Sequence, residues 1–278
     1  MKKTDMNYLS KKYRFFLFDQ WGVLHNGNKI FKYTNNSLKR IKDKKLILIS
    51  NTSQTLVEFK TQTLKKINLK FSYFDKIITA GETLLKITRN SKKNIISRII
   101  LRKKAFIISN EMEQDLVNKL KVENFDYTKC KFILSLSLKP RKNHKNLLKK
   151  IKYLSKKKIP MICTNPDLYN IKNNKRYYQI GYIAKKYSDF GGKVHFIGKP
   201  NLNIFKNIIK NKDKKFAVII GDNLNTDVLG GKNYGISTAL VFDGFKKLNK
   251  IKSKTLVNKV ISNNKIKPNY LIKNISIS

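Results

Sequence analysis

Acidic residues are scarce in this chain: 17 Asp and Glu stand against 61 Lys and Arg, for a formal net charge of +44. A charge of that size raises nucleic acid as a partner. Arginine is nearly absent as well, with seven of the 61 basic residues, so the charge is carried by 54 lysines. Bidentate base readout favours the arginine fork, and the lysines are spread along the whole chain, not gathered in a tail or on one helix. With abundant Asn and Ile but only five prolines and one tryptophan, the composition has the bias of an AT-rich coding sequence. A nucleic-acid role is therefore disfavoured, and the positive field is expected to draw in small phosphorylated anions.

Cysteine is equally sparse. Cys130 and Cys163 lie far apart with no partnering pattern, which excludes a disulfide framework and fits reduced thiols in a cytoplasmic protein. No apolar run approaches the length needed to cross a bilayer, so no membrane partner is expected. The first such run, Phe15–Phe18, is too short for a signal-peptide core and lacks a small-residue cleavage site. No repeat of fixed period and no low-complexity linker interrupts the chain. With 278 residues and 41% hydrophobic content, it can bury a sizeable core as one large domain or two unequal ones.

What is present is a set of short apolar runs that end on polar residues. Arg14–Asp19, Lys45–Ser50, Ile77–Ile78, Phe216–Gly221 and Thr238–Phe242 read as buried strands. Segments with helical spacing follow them at Thr55–Ile67, Glu82–Ile87 and Asp227–Tyr234. Continuous apolar strands alternating with helices predict a parallel α/β sheet with helices on both faces. Ligands of such sheets bind beyond the carboxyl ends of the strands, which is where Asp19, Ser50 and Asp222 fall. A second alternating set lies between Gly81 and Tyr182. Its strands are Ala105–Ile108, Phe132–Leu136 and Met161–Cys163, and its helices Glu113–Leu120 and Lys145–Leu154. The expectation is a core built from 1–80 and 183–278 with a second α/β domain, 81–182, inserted between its halves. After Gly244 the sequence predicts one helix near Lys254–Ile261 and an exposed tail.

The chemistry gathers at that sheet edge. F-L-F-D-Q-W-G-V-L (Phe16–Leu24) ends a strand on Asp19, and I-I-G-D-N-L-N-T-D (Ile219–Asp227) places Asp222 and Asp227 across a strand-to-helix turn. Carboxylates brought together repel unless a hard cation sits among them, and Mg²⁺ suits oxygen ligands with bound water. H-F-I-G-K-P places Lys199 after a short strand, expected at the same edge, to neutralise an acid and an incoming phosphate. S-N-T-S (Ser50–Ser53) offers hydroxyl and backbone N–H groups just before a helix. Phosphoryl transfer needs little beyond positioning and charge stabilisation.

In these segments the chain resembles the haloacid dehalogenase superfamily, in its class IIA, NagD-like branch. Phe18–Leu24 is similar to the family's first motif, Ser50–Ser53 to its second, Gly198–Pro200 to its third and Gly221–Asp227 to its fourth. Ile78–Leu85 (I-T-A-G-E-T-L-L) resembles the entry into the class IIA cap, and Thr164–Asp167 (T-N-P-D) a signature within it. The resemblance implies a Rossmann-like core with an inserted C2-type cap. It implies Asp19 as nucleophile and metal ligand, Asp222 and the Trp21 backbone carbonyl as further Mg²⁺ ligands, and Asp227 holding the metal's water shell. Ser50, Asn51 and Thr52 would bind phosphate, Lys199 would stabilise charge, and Thr164, Asn165 and Asp167 would set specificity for a small phosphorylated metabolite.

One position departs from the family: D-x-W-G stands in place of D-x-D-G. Trp21 occupies the place of the aspartate that protonates the leaving group and then activates water. The reading is therefore a Mg²⁺-dependent phosphatase that is slow or of unusual specificity. Beside it stand a phosphoryl-ligand-binding protein with little turnover and a dehalogenase, the last disfavoured because the metal-type acids are intact. His25, near in sequence, reads as a surface-loop histidine more than a substitute acid. A homo-oligomer is neither required nor excluded.

Overall fold

A computed structural model gives the fold, describing residues 1–90, 94–139, 144–172, 175–249, 251 and 253–277. The first strands are β1 (Lys2–Thr4), β2 (Phe15–Phe18), β3 (Lys45–Ser50) and β4 (Lys76–Thr79). The middle of the chain adds β5 (Lys104–Ile108), β6 (Glu123–Asn124), β7 (Phe132–Ser135) and β8 (Met161–Cys163), then a hairpin of β9 (Tyr169–Lys172) and β10 (Lys175–Tyr178), then β11 (Val194–Phe196). The last three are β12 (Ala217–Gly221), β13 (Ser237–Val241) and β14 (Tyr270–Ile272).

Seven strands form one all-parallel sheet in the order β1-β14-β13-β12-β2-β3-β4. Period-two alternation sends Leu17, Ile47, Ile49 and Ile219 to one face, and Phe16, Phe18, Leu46, Leu48, Val218 and Ile220 to the other, each face covered by its own apolar cluster. That two-sided burial is why these strands read as unbroken apolar runs. At about 1.5–3 kcal/mol per fully buried large apolar side chain, the central strands anchor the sheet. Chain order reverses between β12 and β2, and the loops after these two neighbouring strands carry Asp222 and Asp19. Ligand crevices open at such a switch point.

The second sheet, β11-β8-β7-β5-β6, is also parallel. Helices Lys145–Lys156 and Ile180–Asp189 pack on it through Ile151, Leu154, Ile183, Ala184 and Tyr187. It closes with β11, beyond the expected boundary at Tyr182. Lys199 therefore follows a strand of this second sheet and not one of the seven-stranded sheet, as its apolar H-F-I run had predicted. The segment after Gly244 also differs from expectation. Its helix, Lys254–Ser262, is followed by β14, which inserts between β1 and β13, and Ile275 is fully buried. The Lys and Asn residues around Tyr270–Ile272 hid a three-residue apolar strand.

Two local devices fix the loop after β3. Thr55 and Glu58 form a reciprocal capping box that starts the helical segment Leu56–Leu64. The other carboxylate oxygen of Glu58 accepts the Asp115 N–H at 2.7 Å, tying this turn to the helix Gln114–Leu120 of the second unit. Gly81 lies so close to the Ser53 carbonyl that a Cβ there would sit 2.0 Å from it. That contact explains the glycine in I-T-A-G-E-T-L-L, because only a residue without a side chain admits it.

Candidate active site

Asp19, Asp222 and Asp227 converge at the carboxyl edge of β2 and β12, each offering an oxygen within 4.8 Å of the others. Lys199 reaches into this group fully buried. Its Nζ donates to Asp19 Oδ1 at 2.6 Å, to Asp227 Oδ1 at 2.7 Å and to the Ile49 carbonyl at 3.1 Å, which uses all three ammonium hydrogens. The second Asp227 oxygen accepts the Asn223 N–H at 3.1 Å. Asp222 receives no hydrogen-bond donor or ion-pair partner among the described residues, though it is only 7% exposed.

Charge at the site is out of balance. Burial pushes the Asp19 carboxyl up to about 7, with Lys199 pulling it back and Asp227 adding to the rise. Burial, then the charges of Asp19 and Asp227, raise Asp222 well above the carboxylate range. Burial alone would lower the Lys199 ammonium, but Asp19, Asp227 and Asp167 outweigh it and hold its pKa above that of ordinary lysine. One ammonium among this many buried acids leaves negative charge unmatched. A hard divalent cation with oxygen ligands fits the deficit, and the unpaired Asp222 carboxylate is the donor best placed to take it.

Small residues wall the acids in. A Cβ on Gly22, whose φ is +75°, would lie 1.9 Å from Asp222 Oδ2. One on Gly221 would lie 2.1 Å from the Asp227 carboxyl carbon, and one on Gly244 2.6 Å from Asp222 Cβ.

A polar cavity of about 230 Å³ opens above this cluster, with Asp19, Ser50, Thr52, Asn165, Asp167 and Lys199 among its lining. Thr164 is set back from it: its hydroxyl bonds Ser53 Oγ and the Ser135 carbonyl, inside the packing between the two units. Asn51 lines the cavity, but its carboxamide is already engaged. Oδ1 accepts the Lys199 N–H at 2.7 Å, while Nδ2 donates to Asp167 Oδ2 at 3.1 Å and to the Lys199 carbonyl at 3.3 Å. Asn51 thus brackets the second, third and cap motifs together. Asp167 sits with the acids, where burial raises its carboxyl, opposed chiefly by Lys199.

Two residues in the first motif's loop were not anticipated. Gln20, beside the nucleophile candidate, lines the cavity and donates from Nε2 to Ser50 Oγ at 2.7 Å. His25, expected on the surface, is 1% exposed and packs edge-on against Trp21 with ring centroids 5.3 Å apart. The loop doubles back, with the Gly22 N–H donating to the His25 carbonyl, so a histidine six residues past the acid returns against Gln20 and Trp21. Trp21 is held from its far side by Gly27, at φ +90°, where a Cβ would meet the indole at 2.3 Å. The W-G-V-L-H-N-G spacing carried this signal, but only the fold shows the loop closing on itself.

Comparisons with known proteins agree with this geometry. A family described as haloacid dehalogenase-like hydrolase matches residues 16–137, and a HAD-hydrolase-like family matches 196–276. Ribonucleotide monophosphatase NagD of Escherichia coli (strain K12) is 27% identical over 154 residues, 54% of this chain. The match spans 59% of that relative's length. Dihydroxyacetone phosphatase of Corynebacterium glutamicum (strain R) is 33% identical over 86 residues, 30% of this chain and 31% of the relative. A solved haloacid dehalogenase-like hydrolase from Brucella suis 1330 superposes with a TM-score of 0.80 at 20% identity, covering 99% of both chains. Among the described residues no helix is long and apolar enough to cross a membrane.

Proposed function

We propose that this chain, which belongs to the haloacid dehalogenase-like hydrolases in their class IIA, NagD-like branch, is a Mg²⁺-dependent phosphatase that transfers phosphate from a small phosphorylated metabolite onto Asp19. The observation that carries this reading is the Lys199 ammonium held between Asp19 and Asp227 at 2.6 and 2.7 Å, on the floor of a polar cavity.

Asp19, Asp222 and the Trp21 backbone carbonyl would hold Mg²⁺, with Asp227 behind them; when bound, the ion neutralises the buried acids and draws charge from the phosphate oxygens. An Asp19 oxygen attacks phosphorus, forming an acyl phosphate while the bond from phosphorus to the leaving oxygen breaks. Lys199 favours the ionised form of Asp19 against the effect of its burial and screens the phosphate that approaches it. Ser50 and Thr52 donate to the phosphate oxygens, and Asn51, its side chain engaged elsewhere, contributes by fixing this loop to Lys199 and Asp167. Water then attacks the phosphorus, returning the Asp19 carboxylate and releasing inorganic phosphate. The five-stranded unit and its hairpin act as a cap over the leaving group, with Asn165 and Asp167 on the substrate side.

The leaving oxygen needs a proton, and the indole of Trp21 cannot supply one. General acid–base catalysis typically contributes on the order of 10²–10⁴-fold, so alkyl phosphates turn over slowly and esters with good leaving groups lose less. Trp21 also supports a second reading, phosphoryl-ligand binding with little turnover, because its one polar hydrogen is bonded to the Ile171 carbonyl. Phosphate release from a panel of esters, with and without Mg²⁺, separates the two. Release that requires Mg²⁺ and disappears in Asp19→Asn supports the phosphatase; ligand binding with no release from any ester would sink it.

A further inference from the structure

His25 Nδ1 lies 2.9 Å from the Gly27 backbone N–H, which can only donate. Nδ1 must therefore be the acceptor of a neutral ring, and the ring proton sits on Nε2. Nε2 is 3.2 Å from Gln20 Oε1, so the histidine donates there, and that bond fixes which end of the Gln20 amide faces which way. The amide nitrogen is left pointing at Ser50 Oγ, 2.7 Å away. Ser50 Oγ accepts a second donor, the Thr52 backbone N–H at 3.1 Å. Both of its lone pairs are spent, and no acceptor for its own proton is found among the described residues.

All three side chains of this series are buried, at 1% for His25, 8% for Gln20 and zero for Ser50. Ser50 and Gln20 line the cavity beside Asp19. We propose that His25 and Gln20 are positioning residues that hold Ser50 as an obligate hydrogen-bond donor to the substrate's phosphate oxygens. The backbone of Gly27 starts the series, and Trp21, packed edge-on against the imidazole, restrains the ring. A serine hydroxyl otherwise rotates and can present a lone pair as easily as a proton, which a phosphate would repel. Here every rotor upstream is locked by a group of fixed polarity, so the Ser50 proton faces the cavity before substrate arrives. Such preorganisation strengthens a charge-assisted bond because no reorientation is required on binding.

The inference rests on the phosphatase reading, and one double-mutant cycle tests it. Competitive inhibition by inorganic phosphate is measured against para-nitrophenyl phosphate, with Mg²⁺ present, in wild type, Ser50→Ala, Gln20→Met and the double variant. A hydrogen bond to a charged group is worth roughly a tenfold change in affinity. Ser50→Ala and Gln20→Met should each weaken phosphate binding by about that factor, and the double variant should be no worse than Ser50→Ala alone. His25→Phe should behave like Gln20→Met, while His25→Gln, whose amide nitrogen replaces Nε2 as donor, restores the affinity. Thermal melts confirm that each variant is folded before its inhibition constant is read. If Gln20→Met costs as much in the Ser50→Ala background as in wild type, Gln20 acts through packing and the series is overturned. If wild type binds phosphate but Ser50→Ala does so equally well, the inference falls and the phosphatase reading stands. Failure of wild type to hydrolyse the ester or bind phosphate would remove both.

Discussion

The Trp21 indole donates from Nε1 to the Ile171 carbonyl at 3.1 Å, a direct bond between the loop after Asp19 and the β9–β10 hairpin of the second unit. Trp21 thus spends its single side-chain polar hydrogen on a hairpin whose residues Tyr169 and Asn170 line the cavity. Trp21→Phe keeps the ring against His25 and Gly27 but loses this bond. Amide hydrogen exchange across Tyr169–Tyr178 should quicken by about five- to tenfold, the equivalent of one hydrogen bond. Exchange in β2 and β12 should be unchanged.

Trp21→Asp restores a carboxyl two residues after Asp19 while giving up the hairpin contact. Turnover of alkyl phosphates should rise by roughly 10²-fold, the lower end of general acid–base contributions, because the cap is then held less firmly. Esters with good leaving groups should gain far less. Steady-state kinetics on a matched pair, an alkyl and a nitrophenyl phosphate, measure the difference directly. An equal gain on both would show that opening of the cap, and not the missing proton, limits the wild-type rate.

Lys199→Met removes the one ammonium among the buried acids. Breaking a buried charge cluster by deleting one partner costs about 3–5 kcal/mol, and urea unfolding at neutral pH should show a loss of that order. Phosphate release should fall below detection. Acidification should return part of the stability, because Asp19 and Asp222 are raised by burial. The folded state then binds more protons than the unfolded chain between the ordinary carboxylate range and about pH 7, so protonation there favours folding.

His25 carries the opposite pH dependence. Burial lowers its pKa from 6.5 to about 3, so the unfolded chain binds more protons than the native state across that interval. Stability must then rise with pH between about 3 and 6.5, and fall on acidification through the same range. His25→Gln keeps the donor to Gln20 and removes the titration. From pH 7 to pH 4.5 the urea midpoint should drop further in wild type than in His25→Gln, by an amount equivalent to about 2–3 kcal/mol. Parallel drops would mean that the imidazole is protonated in the native state.

The sheet and its acids were legible because two-sided burial writes an unbroken apolar run, and two of these runs lead directly into an acid of the cluster. These are Phe16–Asp19 and Ala217–Asp222, and the spacing of Asp222 and Asp227 across the turn completes the cluster. β14 escaped, since Tyr270–Ile272 is too short to stand out from its lysine- and asparagine-rich surroundings. Long-range closure escaped too. Nothing local told Asn51 to bind Asp167 and Lys199, or drew Lys199 from a strand of the other sheet. His25 was misplaced for a related reason: polarity places a lone histidine outside, and only the return of the loop against Gln20 and Trp21 buries it.

The glycines at 22, 221 and 244 bear on how such a site can change over generations. With backbone on three sides of Asp222 and Asp227, no single substitution at those glycines can reshape the acid pocket without displacing a carboxylate. The Trp21 side chain turns away from the acids and rests against Gly27 and the hairpin, so a substitution at position 21 alters the contact with the second unit without touching those glycines. One side chain thus couples the loop beside the acids to the hairpin, so any change at position 21 acts on both at once.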